Sequence, residues 1–369
     1  MIAENQGLED FQDAVKGKKV VLFGAGYICM RFINNCLQNS EQAAYICDNA
    51  PSKHGRTLLG IKIVSPDVLQ TESKKDTIVV LCTEKFNWEI SQQAEGFAQF
   101  AAATVMKKPF TDRAHYFAAH KKEFAQIRDW WCDNYSKNVW DKLNIYFQYG
   151  ITDFSDIISN QQMYLPNCLF SSALSDKEIV VSAGVHNGKT TKQFCDFFGK
   201  KLGKLYAIEP IEACLNLSKE NLATYYAKGC PVNLIKCALL DVEEQIEVIF
   251  SRKELTGGGI YGLRDAYSDN FANYEKETVS ARPLDNIIPL DEKVTYIKMD
   301  IEGAETKGLL GAKRIIQEHK PRLAICVYHN PEDYFNIPIL IKQFVPEYKF
   351  YLRHHDKSGT VETVLYATL

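Results

Sequence analysis

The stretch EIVVSAGVHNGKTT, residues 178–191, decides how the second half of the chain is read. A short apolar run, Ile179 to Ala183, enters a turn carrying Gly184 and Gly188, and a helix is expected to open at Thr190. An unbroken apolar run of this length fits a strand covered on both faces. Glycines at such a turn let the backbone take conformations other residues resist and let a ligand come close. The helix that follows offers free N–H groups at its start.

Working forward, apolar runs recur in KLYAIEP (204–210), VNLIKCAL (232–239), VTYIKMD (294–300) and PRLAICVYH (321–329), with helical spacing between them. Strands alternating with helices imply a parallel, doubly wound sheet. YKFYLRHH (348–355) and ETVLYAT (362–368) leave no room for a helix between them and are expected to pair as an antiparallel hairpin at the sheet edge. TGGGIYGLRDAYSDNFANYEKE (256–277) is polar and Gly-rich and is expected to be a long loop.

Working backward, KVVLFGAGYI (19–28) is a second strand-to-glycine turn, followed by Met30, Ile33 and Leu37 at helical spacing and by AAYICDNAP, whose strand ends at Asp48. The chain is therefore expected to be α/β, with two Rossmann-like domains: one over 1–110 and one over 171–369, its first strand starting near Glu178. A helical segment over 111–170 joins them, rich in aromatics (Phe117, Phe124, Trp130, Trp131, Tyr135, Trp140, Tyr146, Phe147).

A chain of 369 residues is too long for one ordinary core. Its 46% hydrophobic and 24% charged content is that of a globular protein. A net charge of −3 gives no general attraction to nucleic acid or an anionic membrane. No apolar run approaches the roughly 18 residues of a membrane span, and MIAENQGLEDFQ lacks the pattern of a signal peptide. The 11 cysteines show no C-x-x-C pair, and Cys47, Cys82, Cys237 and Cys326 lie in apolar runs, as buried free thiols do. A cytoplasmic location fits.

The expected strand ends carry the chemistry. Glu209 lies 25 positions after Gly184, close to the spacing at which an acid accepts both hydroxyls of an adenosine ribose. Asp241, after VNLIKCALL, is either an adenine-edge contact or a turn residue. Asp300 ends its strand, where open α/β sheets bind ligands, and Lys298 points to the same side. Glu302 and Glu305 open the next helix, where acids favour the dipole. His329 ends the neighbouring strand. It suits a general base, with Asp300 orienting it or binding substrate; alternatively Asp300 and His329 hold a divalent metal. Of the adjacent pair His354 and His355, at most one can face the site.

The segments EIVVSAGVHNGKTT, YAIEP, SARPLDNII, YIKMDIEGAETKGLLGA and PRLAICVYH together resemble the FkbM family of S-adenosylmethionine-dependent methyltransferases, over about residues 170–369. The closing YLRHH and ETVLYA are similar to its carbohydrate-associated branch. The resemblance implies methyl transfer to a hydroxyl, often of a sugar or a polyketide. It implies S-adenosylmethionine on the turn and its neighbours, the candidate set being Ser182, Gly184, Asn187, Gly188, Thr190, Glu209 and Asp241. It places Asp300 and His329 at the reaction centre. Ser182 stands where the family usually carries an acid, as in D-x-G-A.

VVLFGAGYICMRF, AAYICDNAPSKHGRTLLGIKIVSP and IVVLC resemble a small Rossmann-type domain attached to sugar-modifying enzymes. There, Gly24, Gly26 and Asp48 form a candidate nucleotide or nucleotide-sugar site, with Cys29 at the third glycine position; a structural relic is the alternative. The expected function is O-methylation of a carbohydrate or sugar-nucleotide hydroxyl of the bacterial surface-polysaccharide type. The alternatives are a nucleotide-sugar-binding protein with an inactive methyltransferase fold, and an NAD-dependent sugar oxidoreductase. The expected partner is a small-molecule or glycan acceptor, without nucleic acid; a homo-oligomer is compatible with the sequence.

Overall fold

The computed structural model describes residues 8–37, 42–83, 87–105, 111–149, 151, 153–251, 259–260, 274–357 and 361–369. The chain divides into two units, one of residues 1–115 with 144–152 and one of 116–143 with 153–369.

The N-terminal unit is built on a six-stranded sheet: β1 (Lys19–Phe23), β2 (Ala43–Cys47), β3 (Thr57–Leu58), β4 (Ile61–Val64), β5 (Thr77–Leu81) and β6 (Ala98–Ala101), in the order β3-β4-β2-β1-β5-β6. All pairs are parallel except β3 with β4. Alternation along β1 sends Val20 and Leu22 into one core with Phe32, Ile33 and Ile78, and Val21 and Phe23 into the opposite core with Leu69, Val79 and Leu81. The helix Tyr27–Cys36 buries Cys29, Phe32, Ile33 and Cys36, one face at helical spacing. Its buried stripe is thus one position off the expected Met30; Met30 is only half-buried.

The second unit holds a seven-stranded sheet of β7 (Glu178–Ala183), β8 (Leu202–Glu209), β9 (Val232–Lys236), β14 (Tyr296–Met299), β15 (Arg322–Cys326), β16 (Lys349–His354) and β17 (Thr363–Thr368), ordered β16-β17-β15-β14-β7-β8-β9. The expected hairpin is present: β16 and β17 pair antiparallel from Lys349↔Thr368 to His354↔Thr363. β17 also pairs antiparallel with β15, so of the hairpin only β16 lies at an edge, the other edge being β9. Chain order reverses at β7, which lies between β14 and β8, so the crevice of the sheet opens at their carboxyl ends.

A second sheet was not expected. β10 (Ala238–Leu239), β11 (Glu244–Ser251), β12 (Gly259–Ile260) and β13 (Tyr274–Arg282) are ordered β10-β13-β11-β12. Val248, Phe250, Val279 and Ala281 form its buried face. The end of the expected loop, Tyr274 to Glu277, belongs to β13; residues 252–258 and 261–273 lie outside the described residues. In YEKETVSAR the charges fall on both faces, Lys276 on one and Glu275 and Glu277 on the other, and burial begins at Val279, which disguises the strand as polar loop.

The 111–170 segment is not a separate body. Phe117, Phe124, Trp131 and Trp140 pack with Tyr334 and Phe335 of the helix Asp333–Phe344, inside the second unit. Tyr146 and Phe147 are buried in the N-terminal unit. Buried aromatics of this size dominate packing energy, so their contacts decide the grouping. Among the described residues, no helix is long and apolar enough to cross a membrane.

Candidate active site

The turn after β7 takes positive φ at Gly184 (77°), His186 (51°) and Gly188 (78°). A Cβ on Gly184 would lie 1.7 Å from the main-chain oxygen of Asp300, so no other residue fits where β7 and β14 converge. The helix Glu212–Asn221 braces the turn: Ser218 Oγ donates to the His186 carbonyl at 2.8 Å, and Asn221 Nδ2 to that of Asn187 at 3.0 Å. Asn187 Oδ1 accepts from Lys189 N at 3.1 Å, at the start of the helix Lys189–Phe198. Asn187 and Thr190 stay partly open, whereas Ser182 is enclosed beneath the turn with no hydrogen-bond partner for its hydroxyl.

Glu209 ends β8 with its carboxylate turned onto the same turn. Oε2 accepts from Val185 N (3.0 Å) and His186 N (2.9 Å), and Oε1 from Ile211 N (3.2 Å). Burial raises its pKa above the usual value; the three N–H groups and the Lys298 charge offset this only in part. The acid is thus first a brace for the loop, a role that spacing alone did not suggest. Asp241 lies exposed in the bend after β10.

Asp300 and His329 do meet at the rim. Asp300 Oδ2 accepts from Tyr164 Oη at 2.9 Å and lies 3.7 Å from Lys298 Nζ; Oδ1 accepts from Tyr328 Oη at 3.1 Å and lies 3.6 Å from His329 Nε2. Buried Lys298 donates to the Ala183 and Gly184 carbonyls at 3.0 and 2.7 Å, tying the site to the turn. Burial pushes the Asp300 carboxyl up, but the Lys298 and His329 charges and the Tyr164 bond hold it down at about 2.

The His329 ring is 1% exposed, with Glu302 Oε2 3.7 Å from Nε2 and Glu305 Oε1 2.9 Å from Nδ1. The last contact is an ion pair too poorly aligned to count as a hydrogen bond. Burial lowers the imidazole pKa, and the charges of Glu305, Asp300 and Glu302 more than reverse it, to about 9. The ring is therefore held protonated at neutral pH, and it must lose that proton before it can serve as a base. Glu305 also caps its own turn, accepting from Ile301 N (2.8 Å) and Gly303 N (3.0 Å), so the expected capping role is real and is joined to His329.

Sequence reasoning missed Tyr164, Tyr328 and Glu362. Tyr328 precedes His329 and could have been weighed with it; Tyr164 lies 136 positions before Asp300 in a stretch without periodicity. Burial and the Asp300 charge raise Glu362 to about 7. His354 is buried against Thr363 Oγ1 (2.9 Å), and His355 Nε2 meets Tyr366 Oη (3.0 Å).

In the N-terminal unit, Asp48 Oδ2 accepts from Ala25 N (2.7 Å) and Lys53 Nζ (2.9 Å), and Oδ1 from Ala50 N (2.8 Å). Burial raises its pKa, but the Lys53 bond, the two amides and the Lys53 charge bring it below the usual value. Lys53 also donates to the Ala25 carbonyl at 3.0 Å, within the Gly24–Gly26 turn. Cys29, at the third glycine position, is fully buried in the core.

Residues 182–357 match the profile of the Methyltransferase FkbM domain, and residues 16–99 that of the C2185-like N-terminal domain. No curated protein matches the chain. The crystal structure of methyltransferase FkbM from Methylobacillus flagellatus KT is similar at a TM-score of 0.69 and 19% identity, covering 99% of this chain and 94% of its own. An rRNA methylase from Streptococcus thermophilus matches at a TM-score of 0.31 and 18% identity, over 55% of this chain and 91% of its own. Fibrillarin from Aeropyrum pernix, with natively bound S-adenosylmethionine, matches at 0.32 and 11%, over 53% and 68%. Residues 182–357 are thus similar to the Methyltransferase FkbM domain, and the chain is a methyltransferase whose cofactor is S-adenosylmethionine.

Proposed function

We propose that the second unit transfers the methyl group to a hydroxyl of a carbohydrate or sugar nucleotide. The observation that carries this reading is the convergence of Asp300 and His329 with the Gly184 turn at neighbouring strand ends, Nε2 of His329 being 3.6 Å from Asp300 Oδ1. The turn fits the cofactor: Gly184 and Gly188 keep its backbone free of side chains, and Asn187 and Thr190 remain partly open beside the helix start. Glu209 would meet the ribose with lone pairs left beside its three amide contacts, and Asp241 would meet the adenine edge.

Bound there, S-adenosylmethionine supplies an electrophilic methyl on a sulfonium. The chain's own task is mainly alignment of the acceptor oxygen. Asp300, ionised at any physiological pH and fixed by two tyrosines and Lys298, orients the acceptor hydroxyl. His329 faces the same hydroxyl through Nε2. The carbohydrate class rests on the resemblance of the closing strands.

S-adenosylhomocysteine should raise the melting temperature, and a glycan panel should yield a product heavier by one methylene. His329→Ala should abolish turnover while keeping the thermal shift. A shift with NAD in place of S-adenosylhomocysteine would sink the reading. We read the N-terminal unit as a scaffold, because Lys53 stands on Asp48 where a ribose would be needed. Saturable nucleotide-sugar binding that is lost in Asp48→Asn would reverse that.

A further inference from the structure

The Nε2 atom of His329 is buried and has no hydrogen-bond partner, a costly state for an imidazole nitrogen. It faces Asp300 Oδ1 at 3.6 Å and Glu302 Oε2 at 3.7 Å. Both distances exceed a hydrogen bond. They are the separations of atoms that share one ion, since bonds of about 2.1–2.4 Å put neighbouring ligands roughly 3–3.7 Å apart.

The other side of the ring is already provided for. Glu305, fully buried and held by the Ile301 and Gly303 amides, sits 2.9 Å from Nδ1, as an outer carboxylate does behind a metal-binding histidine. Asp300, Glu305 and His329 each bring a ligand-type atom within 4.8 Å of the others. Glu305 fills the Nδ1 side as an ion-pair neighbour at 2.9 Å, which leaves Nε2 as the open direction for an ion. There, the left-handed backbone of Glu302 (φ 57°) aims its half-open carboxylate at the ring.

Charge points the same way. Asp300, Glu302 and Glu305 bring three negative charges and Lys298 one positive, leaving two to be met when the imidazole is neutral. Lys298 lies on the Oδ2 side of Asp300, away from Oδ1.

We propose that His329 Nε2, Asp300 Oδ1 and the Glu302 carboxylate bind a divalent cation, with Glu305 as the positioning residue behind the ring. A mixed imidazole–carboxylate set suits Mn²⁺, Fe²⁺ or Zn²⁺ better than an all-oxygen ion. With Nε2 on the ion, His329 is a ligand and not the base: the ion would act as a Lewis acid, lowering the pKa of an acceptor hydroxyl whose proton passes to solvent as the methyl moves from sulfur to oxygen. The proposal rests on the reading of this rim as the reaction centre.

The test uses the full chain, stripped with a chelator and titrated with Mn²⁺ while free Mn²⁺ is followed by electron paramagnetic resonance. One site is expected in the wild type. Glu302→Gln, a substitution on a half-exposed side chain, should weaken it at least 10-fold, and Glu305→Gln by about 10- to 100-fold. Zn²⁺ should displace the Mn²⁺. No saturable site in the wild type, or equal affinity in Glu302→Gln, would overturn the proposal. The S-adenosylhomocysteine thermal shift is measured on the same samples. Cofactor binding without the ion removes only the cation site; ion binding without the cofactor removes the methyl-transfer reading.

Discussion

The two units solve one problem with different acids. In each, the carboxylate at the end of the second strand turns back to accept amides of the glycine turn after the first strand: Asp48 from Ala25, and Glu209 from Val185 and His186. Asp48 is then neutralised by Lys53 at 2.9 Å. Among the described residues Glu209 has no cation in hydrogen-bond contact; three amides hold it, 5% exposed, with the Lys298 charge acting only from further off. A neutralised acid completes a turn. A buried acid without a counter-ion keeps capacity to accept hydrogen bonds, which is what a binding site needs and a scaffold does not.

The largest test of this contrast is steric. Gly184→Ala should cost more than about 4 kcal/mol and unfold the second unit, because backbone faces backbone at 1.7 Å. Gly24→Ala meets the Cys82 oxygen at 2.9 Å and should cost roughly 1–3 kcal/mol. Hydrogen exchange read at β7 and at β1 separates them; equal losses would break the comparison.

Next come the acids. Glu209→Gln sets an amide against the N–H pair of Val185 and His186 and should cost about 2 kcal/mol. Asp48→Asn keeps one amide contact and loses a half-exposed ion pair, for about 1 kcal/mol or less.

Their pH dependence should have opposite sign. The Asp48 pKa is depressed, so its contribution is present above 3.8 and is lost as pH falls through the lower folded value. The Glu209 pKa is raised, so its contribution is complete below 4.5 and is lost as pH rises through the higher folded value. Exchange protection compared between each wild-type strand and its Asn or Gln variant should therefore diverge in opposite directions. The same direction in both would remove the distinction.

An effect of the same small size is expected of Tyr164→Phe, about 1 kcal/mol from one buried hydrogen bond to Asp300, with turnover reduced and cofactor binding kept.

The two parallel-stranded sheets were legible because buried parallel strands leave apolar runs such as VVLF and IVV. Asp300 and His329 were legible because adjacent parallel strands bring their carboxyl ends to one rim. The β11–β13 pair was not: Glu247 and Lys276 lie on its open face, Glu275 and Glu277 follow on the other, and the resulting run of charges imitates a loop. The brace made by Glu209 was hidden as well, since spacing places a carboxylate but says nothing of which amides it meets. Glu305 shows the limit of choosing between capping and chemistry. One carboxylate satisfies two amides and touches His329, because each oxygen offers two lone pairs.

The position of β17 sets an order on assembly. It comes after β16 in the chain yet lies between β15 and β16, so β16 has no partner in its sheet until β17 has been made. The centre of the same sheet joins Val180 to Tyr296, whereas the longest-range pairing of β1 joins Lys19 to Thr77. At roughly 5–20 residues per second of synthesis, β7 waits on the order of ten seconds for β14. The N-terminal unit can close in the interval, and the apolar strands of the methyltransferase sheet are the last of the two sets to find their partners.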